Sequence, residues 1–321
     1  MSVTTSHLSR RDLLKSAGVA AATLALGSAM PAAAAPASSP YGPFRFCLNL
    51  STIRGQKLPL EQEIEIAAKA GYSGIEPWIS EIENAVSRGV SLADLRQRID
   101  DAGLKVESAI GFAKWIVNDD TERAKGLEQL KREMELVKAL GGSYIAAPPA
   151  GMQSPDSPVV DTATAGDRYR AALEIGDAIG VTPMVELWGF SKNLSRLSEV
   201  VGCALETGHP KACILTDVYH IHKGGSDTRS LRMLSGKVLP VMHTNDYPDK
   251  PRKDLTDADR IYPGDGVAPL VEILRILQGI GFNGALSLEL FNKGYWQQDA
   301  HLVARAGLEK MQAAVKKALE A

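Results

Sequence analysis

The chain has 321 residues, of which 45% are hydrophobic and 23% are charged, and its 36 basic and 38 acidic side chains leave a formal net charge of −2. A chain with this balance has no basic excess with which to bind a polyanion, which excludes a nucleic-acid-binding function. Its three cysteines, Cys47, Cys203 and Cys213, are odd in number and lack a CxxC spacing, so no disulfide framework is expected.

The first 37 residues are typical of an export signal. Arg10 and Arg11 form a twin-arginine motif, which precedes an apolar, alanine-rich stretch at 17–29 and a tail of small residues at 32–35. The apolar stretch is shorter than the ~20 residues that a membrane-spanning helix needs. We therefore predict a signal peptide at 1–37, export by the twin-arginine translocase to the periplasm or the extracellular space, and no membrane association after cleavage.

Strand-like and helical patterns alternate regularly through residues 41–321. Strands are predicted at 44–50, 73–78, 105–111, 143–148, 182–188, 213–219, 238–244 and 284–290. Helices are predicted at 59–70, 91–102, 119–140, 162–179, 193–207, 226–235, 267–280 and 297–319. Repeated βα units with short turns indicate a parallel sheet, and eight of them indicate an α/β fold of the (β/α)8 TIM barrel type in a single domain.

Four side chains that can bind a metal each lie at the end of a different predicted strand, namely Glu186, Asp217, His243 and Glu289. Barrel enzymes of this type build their active sites where the carboxyl ends of the strands meet. Three carboxylates and one imidazole suit one divalent metal, with Mn²⁺ expected and Mg²⁺, Co²⁺, Zn²⁺ or Fe²⁺ as alternatives. The sequence therefore predicts a metal site at this end of the barrel.

Alternation within two of these strands predicts which side chains face the barrel axis. In the eighth strand, Ser287 and Glu289 face inward while the leucines that flank them face the helices. In the fifth strand, Met184 and Glu186 face inward and Val185 faces outward. An inward carboxylate is not a solvated surface charge, so we expect these two glutamates to be paired or bound to a cation.

The longest connection, residues 246–267, follows the seventh strand. Loops of this length are uncommon unless they are functional, so we predict a lid over the mouth of the barrel. Asp246, where the connection begins, is included among the predicted substrate contacts.

All four tryptophans, at 78, 115, 188 and 296, follow predicted strands. Aromatic faces stack on the C–H faces of sugars, so a ring of tryptophans around the mouth suits a carbohydrate, with Trp188 and Trp115 as predicted contacts. The alternative is that large side chains fill the junctions between strands and helices. Glu76, at the end of the second strand, either accepts hydrogen bonds from substrate hydroxyls or pairs with a basic neighbour.

In these motifs the chain resembles the xylose isomerase-like TIM barrels, the superfamily of sugar phosphate isomerases and epimerases, from about Phe44 to Leu319. The motifs that carry the resemblance are, in chain order, Glu186 in VELWGF, Asp217 and His220 in TDVYHIHKGG, His243 in HTND, the PGDG at 263–266 and Glu289 in SLELF. The resemblance does not extend to a DNA-repair enzyme such as endonuclease IV. That enzyme's zinc site needs additional histidines from the earlier strands, and this chain has no histidine between His7 and His209.

The resemblance implies that Glu186, Asp217, His243 and Glu289 hold the metal and that the two glutamates are also the catalytic acid and base. His220 would donate a hydrogen bond to a substrate oxygen. Epimerising a carbon next to a carbonyl requires removal of a proton from one face and its return to the other, through an enediolate.

We therefore expect a metal-dependent isomerase or epimerase that acts on an unphosphorylated sugar or keto-sugar, since no long glycine-rich phosphate cradle is present. One alternative is a lyase that cleaves keto-glycosides after the same proton abstraction. Another is a non-catalytic carbohydrate-binding barrel. A homo-oligomer is compatible with all three.

Overall fold

The computed structural model describes residues 39–320, so the predicted signal peptide at 1–37 lies outside the described residues. Eight β-strands run through the described chain. They are β1 Arg45–Asn49, β2 Gly74–Glu76, β3 Lys105–Val106, β4 Tyr144–Ala147, β5 Thr182–Glu186, β6 Ile214–Asp217, β7 Val241–Thr244 and β8 Ala285–Leu288. Each lies within one of the eight predicted strand ranges, which confirms the predicted order of strands.

Helices fill the connections between the strands. The α-helices are α1 Leu60–Ala70, α2 Ile79–Ser87, α3 Leu92–Asp101, α4 Asp120–Ala139, α5 Thr162–Ile179, α6 Leu197–Glu206, α7 Val218–Lys223, α8 Leu270–Gly279 and α9 Ala300–Glu320. Short 3-10 helices at Leu50–Gln56, Thr228–Met233, Gly236–Val238, Arg252–Asp254, Asp257–Asp259 and Tyr295–Gln297 complete the connections. Within 39–320, no helix is both long enough and apolar enough to span a membrane.

The strands are all parallel and lie in the order β3-β2-β1-β8-β7-β6-β5-β4. This order follows the chain around a barrel, with β1 beside β8. No ladder joins β3 to β4, but the Ala146 amide donates to the Ala109 carbonyl oxygen at 2.9 Å across that gap. The sheet is therefore the predicted (β/α)8 TIM barrel.

The core has two parts that follow the predicted alternation of side chains. Small and medium apolar side chains fill the barrel interior, including Met184 and Leu215. Val185 and Leu286 belong instead to the larger cluster between the strands and the helices. Glu289 lies on the inward parity of its strand and is buried.

Four elements differ most from the predictions. The third strand ends at Val106 instead of residue 111, and helix α2 was not predicted. The sixth strand ends at Asp217 because the Asp217 carboxylate accepts a hydrogen bond from the His220 amide and so caps helix α7. The helix predicted at 226–235 is instead a short 3-10 helix at Thr228–Met233, and a second one follows at Gly236–Val238.

The long connection at 246–267 folds back along itself. Asp246 and Ile261 form an antiparallel bridge with mutual backbone hydrogen bonds of 2.9 Å. The Asp246 carboxylate is buried and accepts four backbone hydrogen bonds of 2.8–3.0 Å, from the amides of Tyr247, Gly264, Gly266 and Ala268. Asp246 therefore organises the connection, and its role as a substrate contact stays a prediction.

Candidate active site

A cavity of about 170 Å³ opens where the strands end at their carboxyl termini. Polar and aromatic side chains share its lining, which comprises Trp78, Ile110, Phe112, Glu186, Trp188, Phe190, His220, Asp257, Arg260, Glu289 and Phe291. A larger cleft of about 620 Å³ lies beside α2 but is lined by none of the predicted metal-binding residues. The smaller cavity is therefore the one that contains predicted metal ligands, Glu186 and Glu289.

The structure brings three of the four predicted metal ligands together. One ligand atom from each of Asp217, His243 and Glu289 lies within 4.8 Å of the other two. The Nδ1 atom of His243 is 3.1 Å from Glu289 Oε2 and 3.8 Å from Asp217 Oδ2. Glu186 is not in this close group, although it lines the same cavity.

His243 is held in one orientation by Glu76. The Nε2 atom of His243 lies 3.0 Å from Glu76 Oε2, and both side chains are fully buried. Asn49 and Ser287 donate to the same oxygen at 2.8 and 2.7 Å. A carboxylate behind the imidazole is a common arrangement in metal sites because it fixes which nitrogen faces the ion. Glu76 thus takes the second of its two predicted roles, pairing with a basic neighbour.

Glu186 is buried with one carboxylate oxygen unpartnered. It is 4% exposed, and its Oε2 atom has no hydrogen-bond partner among the described residues. Burial raises the pKa of this carboxyl to about 8, and the neighbouring charge of Glu289 acts in the same direction. Such an orphaned oxygen, pointing into a cavity, is free to take a proton or a ligand.

Arg260 lies at the centre of the site, where the sequence suggested only an alternative anion contact in the long connection. Its guanidinium is 1% exposed, and Nη1 donates to Asp217 Oδ2 at 2.8 Å and to Glu289 Oε2 at 2.6 Å. The other terminal nitrogen, Nη2, donates to Asp257 at 2.7 Å and lies 2.9 Å from His220 Nε2. A cation from the long connection therefore neutralises two of the strand-end carboxylates.

These contacts set the protonation of the site. Burial opposes ionisation of Glu289, but His243 and Arg260 outweigh it and hold the pKa of this carboxyl well below its usual range. Burial also opposes protonation of His243, yet Glu289 and Glu76 raise its pKa well above the usual value. Burial and the adjacent Arg260 lower the pKa of His220, so this imidazole is neutral. The pKa of Glu289 is thus lowered, whereas the pKa of Glu186 is raised.

Two of the four tryptophans line the cavity. Trp188 lies two residues beyond β5, and the Trp78 indole nitrogen donates to Asn49 Oδ1 at 3.1 Å. Trp115 is fully buried, packs on Tyr169 and donates to the Pro148 carbonyl oxygen at 2.8 Å. Trp115 therefore fills a junction between elements, and its role as a substrate contact stays a prediction.

Trp296, the fourth tryptophan, also lies outside the cavity lining. Its indole nitrogen donates to the Ser51 carbonyl oxygen at 2.9 Å, which ties the 3-10 helix after β8 to the one after β1. The predicted ring of four tryptophans is thus a pair. Phenylalanines complete the aromatic wall, at 112, 190 and 291.

The residues present fit a divalent metal. Asp217, His243 and Glu289 offer two oxygens and one nitrogen at mutual distances that a single ion can bridge. One buried atom at this point, Glu186 Oε2, lacks a hydrogen-bond partner among the described residues. Orphaned buried polar atoms are rare in native structures and call for a ligand or ion.

Two family models match the chain. One, described as the xylose isomerase-like TIM barrel, matches residues 64–314. The other, the twin-arginine translocation pathway signal sequence, matches residues 7–27, which confirms the predicted signal and supports export from the cytoplasm.

Characterised relatives align over nearly their whole length. An inosose isomerase of Bacillus velezensis is 26% identical over 274 residues, covering 85% of this chain and 98% of the relative. A fructoselysine 3-epimerase of Escherichia coli O157:H7 is 23% identical over 277 residues, covering 83% and 97%. The crystal structure of the IOLI protein with a binding zinc atom superposes with a TM-score of 0.79 at 24% identity, covering 85% of this chain and 98% of that one.

Proposed function

Because the chain belongs to the xylose isomerase-like TIM barrel family, we propose that it is a divalent-metal-dependent isomerase or epimerase of an unphosphorylated sugar or keto-sugar. The observation that carries the proposal is the pair of buried glutamates, Glu186 and Glu289, that line one cavity at the ends of β5 and β8. The similarity to an inosose isomerase and a fructoselysine 3-epimerase supports it.

Asp217, His243 and Glu289 would hold the metal, with Glu186 as the fourth ligand. We propose Mn²⁺, since carboxylates are hard ligands and one imidazole is tolerated by this ion. The bound ion would polarise the substrate carbonyl. Glu76 would keep His243 oriented toward the ion through the 3.0 Å contact to Nε2.

The two glutamates would carry the proton transfers. Glu289, which His243 and Arg260 hold in its ionised form, would remove the proton from the carbon next to the carbonyl, and the electron pair would move onto the carbonyl oxygen to give the enediolate. Glu186, whose raised pKa keeps it protonated near neutral pH, would deliver its proton to the opposite face, which inverts that carbon, and exchange with water would then restore both groups. Two carboxyl groups whose pKa values are pushed apart are suited to act as an acid and a base in one site.

Arg260 would stabilise the negative charge that develops on substrate oxygen, through the Nε–H group that has no hydrogen-bond partner among the described residues. His220 Nε2 lies 2.9 Å from Arg260 Nη2, which can only donate, so the imidazole accepts this bond and helps to orient the guanidinium. A donor that is already in place needs no reorganisation when the charge forms, so it lowers the barrier. Trp78 and Trp188 would stack on the sugar and exclude water.

The lining favours an unphosphorylated substrate. Among the cavity-lining residues that the structure describes, Arg260 is the one permanent cation, and two buried carboxylates already neutralise it. A phosphate would bring a double negative charge into a site without a free positive partner.

Export from the cytoplasm also favours an unphosphorylated sugar as the substrate. We propose that the signal peptide at 1–37 is removed and that the barrel at 41–321 works in the periplasm or outside the cell. The twin-arginine route would allow the metal to be bound before export.

Exchange in deuterated water tests this function. Metal-loaded enzyme is incubated with free ketoses, inososes and 3-keto-glycosides, and the products are read by NMR. Deuterium at the carbon next to the carbonyl, in an otherwise intact sugar, is the expected result. Release of the aglycone would favour the lyase, and ligand-induced stabilisation without exchange would favour the carbohydrate-binding barrel.

Two variants separate catalysis from metal binding. Glu289→Gln keeps a coordinating oxygen but removes the base, so exchange should fall by orders of magnitude while metal content largely survives. The control is Glu272→Gln on α8, which pairs with Arg232 at the surface and lies outside the cavity lining. Near-normal exchange by Glu289→Gln would contradict the two-carboxylate mechanism.

A further inference from the structure

The inner cavity is small for a ligand site. Its volume of about 170 Å³ lies below the range of about 300–1,000 Å³ that is usual for small-molecule pockets. Its charged and imidazole side chains, Glu186, His220, Asp257, Arg260 and Glu289, all line this one small space. A substrate larger than one sugar ring must therefore extend beyond this cavity.

Phe112 and Phe190 extend the cavity toward solvent. They are 39% and 42% exposed, although both also line the cavity. Trp188 lies between them, with ring centroids 6.0 Å from Phe112 and 5.4 Å from Phe190. The three rings form a continuous aromatic surface that runs from the site to the outside.

The packing of this surface is ordered by contacts on its inner side. The rings of Trp188 and Phe190 are stacked at 27°, and Phe190 also contacts the His220 ring at 5.6 Å. Phe112 contacts Trp78 at 5.1 Å. Both phenylalanines are thus positioned by residues of the site, while a large part of each ring stays exposed to water.

Phenyl rings carry no hydrogen-bonding groups, so they do not recognise hydroxyls or phosphates. They do recognise the apolar face of another ring, through stacked or edge-to-face contacts at centroid distances of about 4.5–7 Å. Two exposed rings beside a polar cavity thus match a ligand with a polar ring at one end and an apolar ring face at the other.

We propose that Phe112, Trp188 and Phe190 form an outer subsite that binds the second ring of a glycoside whose sugar ring occupies the inner cavity. This inference rests on the proposed function, because it takes the inner cavity to hold the reacting sugar. The substrate class is then a glycoside or keto-glycoside with a ring-shaped aglycone, either an aryl group or a second sugar.

The test compares ligands that differ only in the second ring. Binding of methyl glucoside, phenyl glucoside and cellobiose to the metal-loaded protein is measured by calorimetry, so no turnover is needed. We expect phenyl glucoside or cellobiose to bind roughly tenfold more tightly than methyl glucoside. A preference for phenyl glucoside identifies an aryl aglycone, and a preference for cellobiose identifies a second sugar.

Variants test whether Phe112 and Phe190 cause the difference in affinity. In the double variant Phe112→Leu/Phe190→Leu, the ratio of the two-ring to the methyl affinity should fall roughly tenfold. The control is Leu302→Ala, an exposed apolar side chain on α9 that lies outside the cavity lining and should keep the wild-type ratio. Equal affinity of all three ligands for the wild-type protein, or an unchanged ratio in the double variant, would overturn the proposal.

Two further outcomes are distinct. If the wild-type protein is a dimer that the double variant converts to a monomer in sedimentation experiments, a second copy covers these rings and the outer subsite is refuted. If the ratio behaves as expected but no ketose, inosose or 3-keto-glycoside exchanges deuterium, the subsite stands while the proposed isomerase activity fails.

Discussion

Replacing Arg260 by Met should destabilise the metal-free protein strongly and the metal-loaded protein much less. In the metal-free protein, Arg260 compensates two buried carboxylates, Asp217 at 2.8 Å and Glu289 at 2.6 Å. Removing one partner of a buried ion pair costs about 3–5 kcal/mol, because the remaining charge is left without a partner. For a domain of this size that corresponds to a decrease of about 6–20 °C in Tm.

A bound divalent ion would itself neutralise the same carboxylates, so the loss in the metal-loaded state should be below about 2 kcal/mol. Thermal unfolding of the wild type and of Arg260→Met, each with chelator and with saturating Mn²⁺, measures both values. The control is Arg54→Met, since Arg54 lies over the Trp78 ring and is 4.0 Å from Glu81. We expect the control to lose about 1 kcal/mol in both states. Equal destabilisation of Arg260→Met with and without metal would refute the reasoning.

Three further variants test other contacts. Glu76→Ala should weaken metal binding about 10- to 100-fold, because His243 loses the group that orients it, and calorimetric titration with Mn²⁺ measures this. Burial raises the pKa of Glu63 to about 9, so the folded state holds a proton that the unfolded state releases above about pH 4.5, and stability falls as pH rises from there toward 9. Glu63→Gln should abolish this part of the slope, on the order of 1 kcal/mol or more between pH 5 and 9, as urea unfolding at both values will show. Asp246→Ala leaves four amides of the long connection without their acceptor and should cost about 2–4 kcal/mol, with faster proteolysis within 246–267; unchanged proteolysis would contradict that role.

The barrel could be predicted from sequence because its signals are local. Each strand is a short apolar run followed by an amphipathic helix, and this alternation is visible without tertiary contacts. The strand that ends at Asp217 shows the limit of such signals. The pattern predicts that the strand continues through Val218 and Tyr219. The His220 amide instead donates a hydrogen bond to the Asp217 carboxylate, and this cap starts a helix at Val218.

The positions of single side chains were less predictable, since they depend on long-range contacts. Arg260 reaches the strand ends because the bridge between Asp246 and Ile261 folds the connection back over the cavity. Trp115 turns into the core because β3 ends at Val106 and the chain beyond it is irregular. The parity of a strand, in contrast, is a local property, and it correctly placed Glu289 toward the axis.

No strand ladder joins β3 to β4, so the barrel has a seam between these two strands. This seam does not coincide with the ends of the chain. The natural ends of the barrel lie at β1 and β8, which are joined by a four-residue ladder. Starting from the seam, the strands follow one another as β4 to β8 and then β1 to β3. A circular permutant that opens the chain before β4 would thus cut where no strand ladder is formed, and it would carry the strands in the order in which they are hydrogen-bonded.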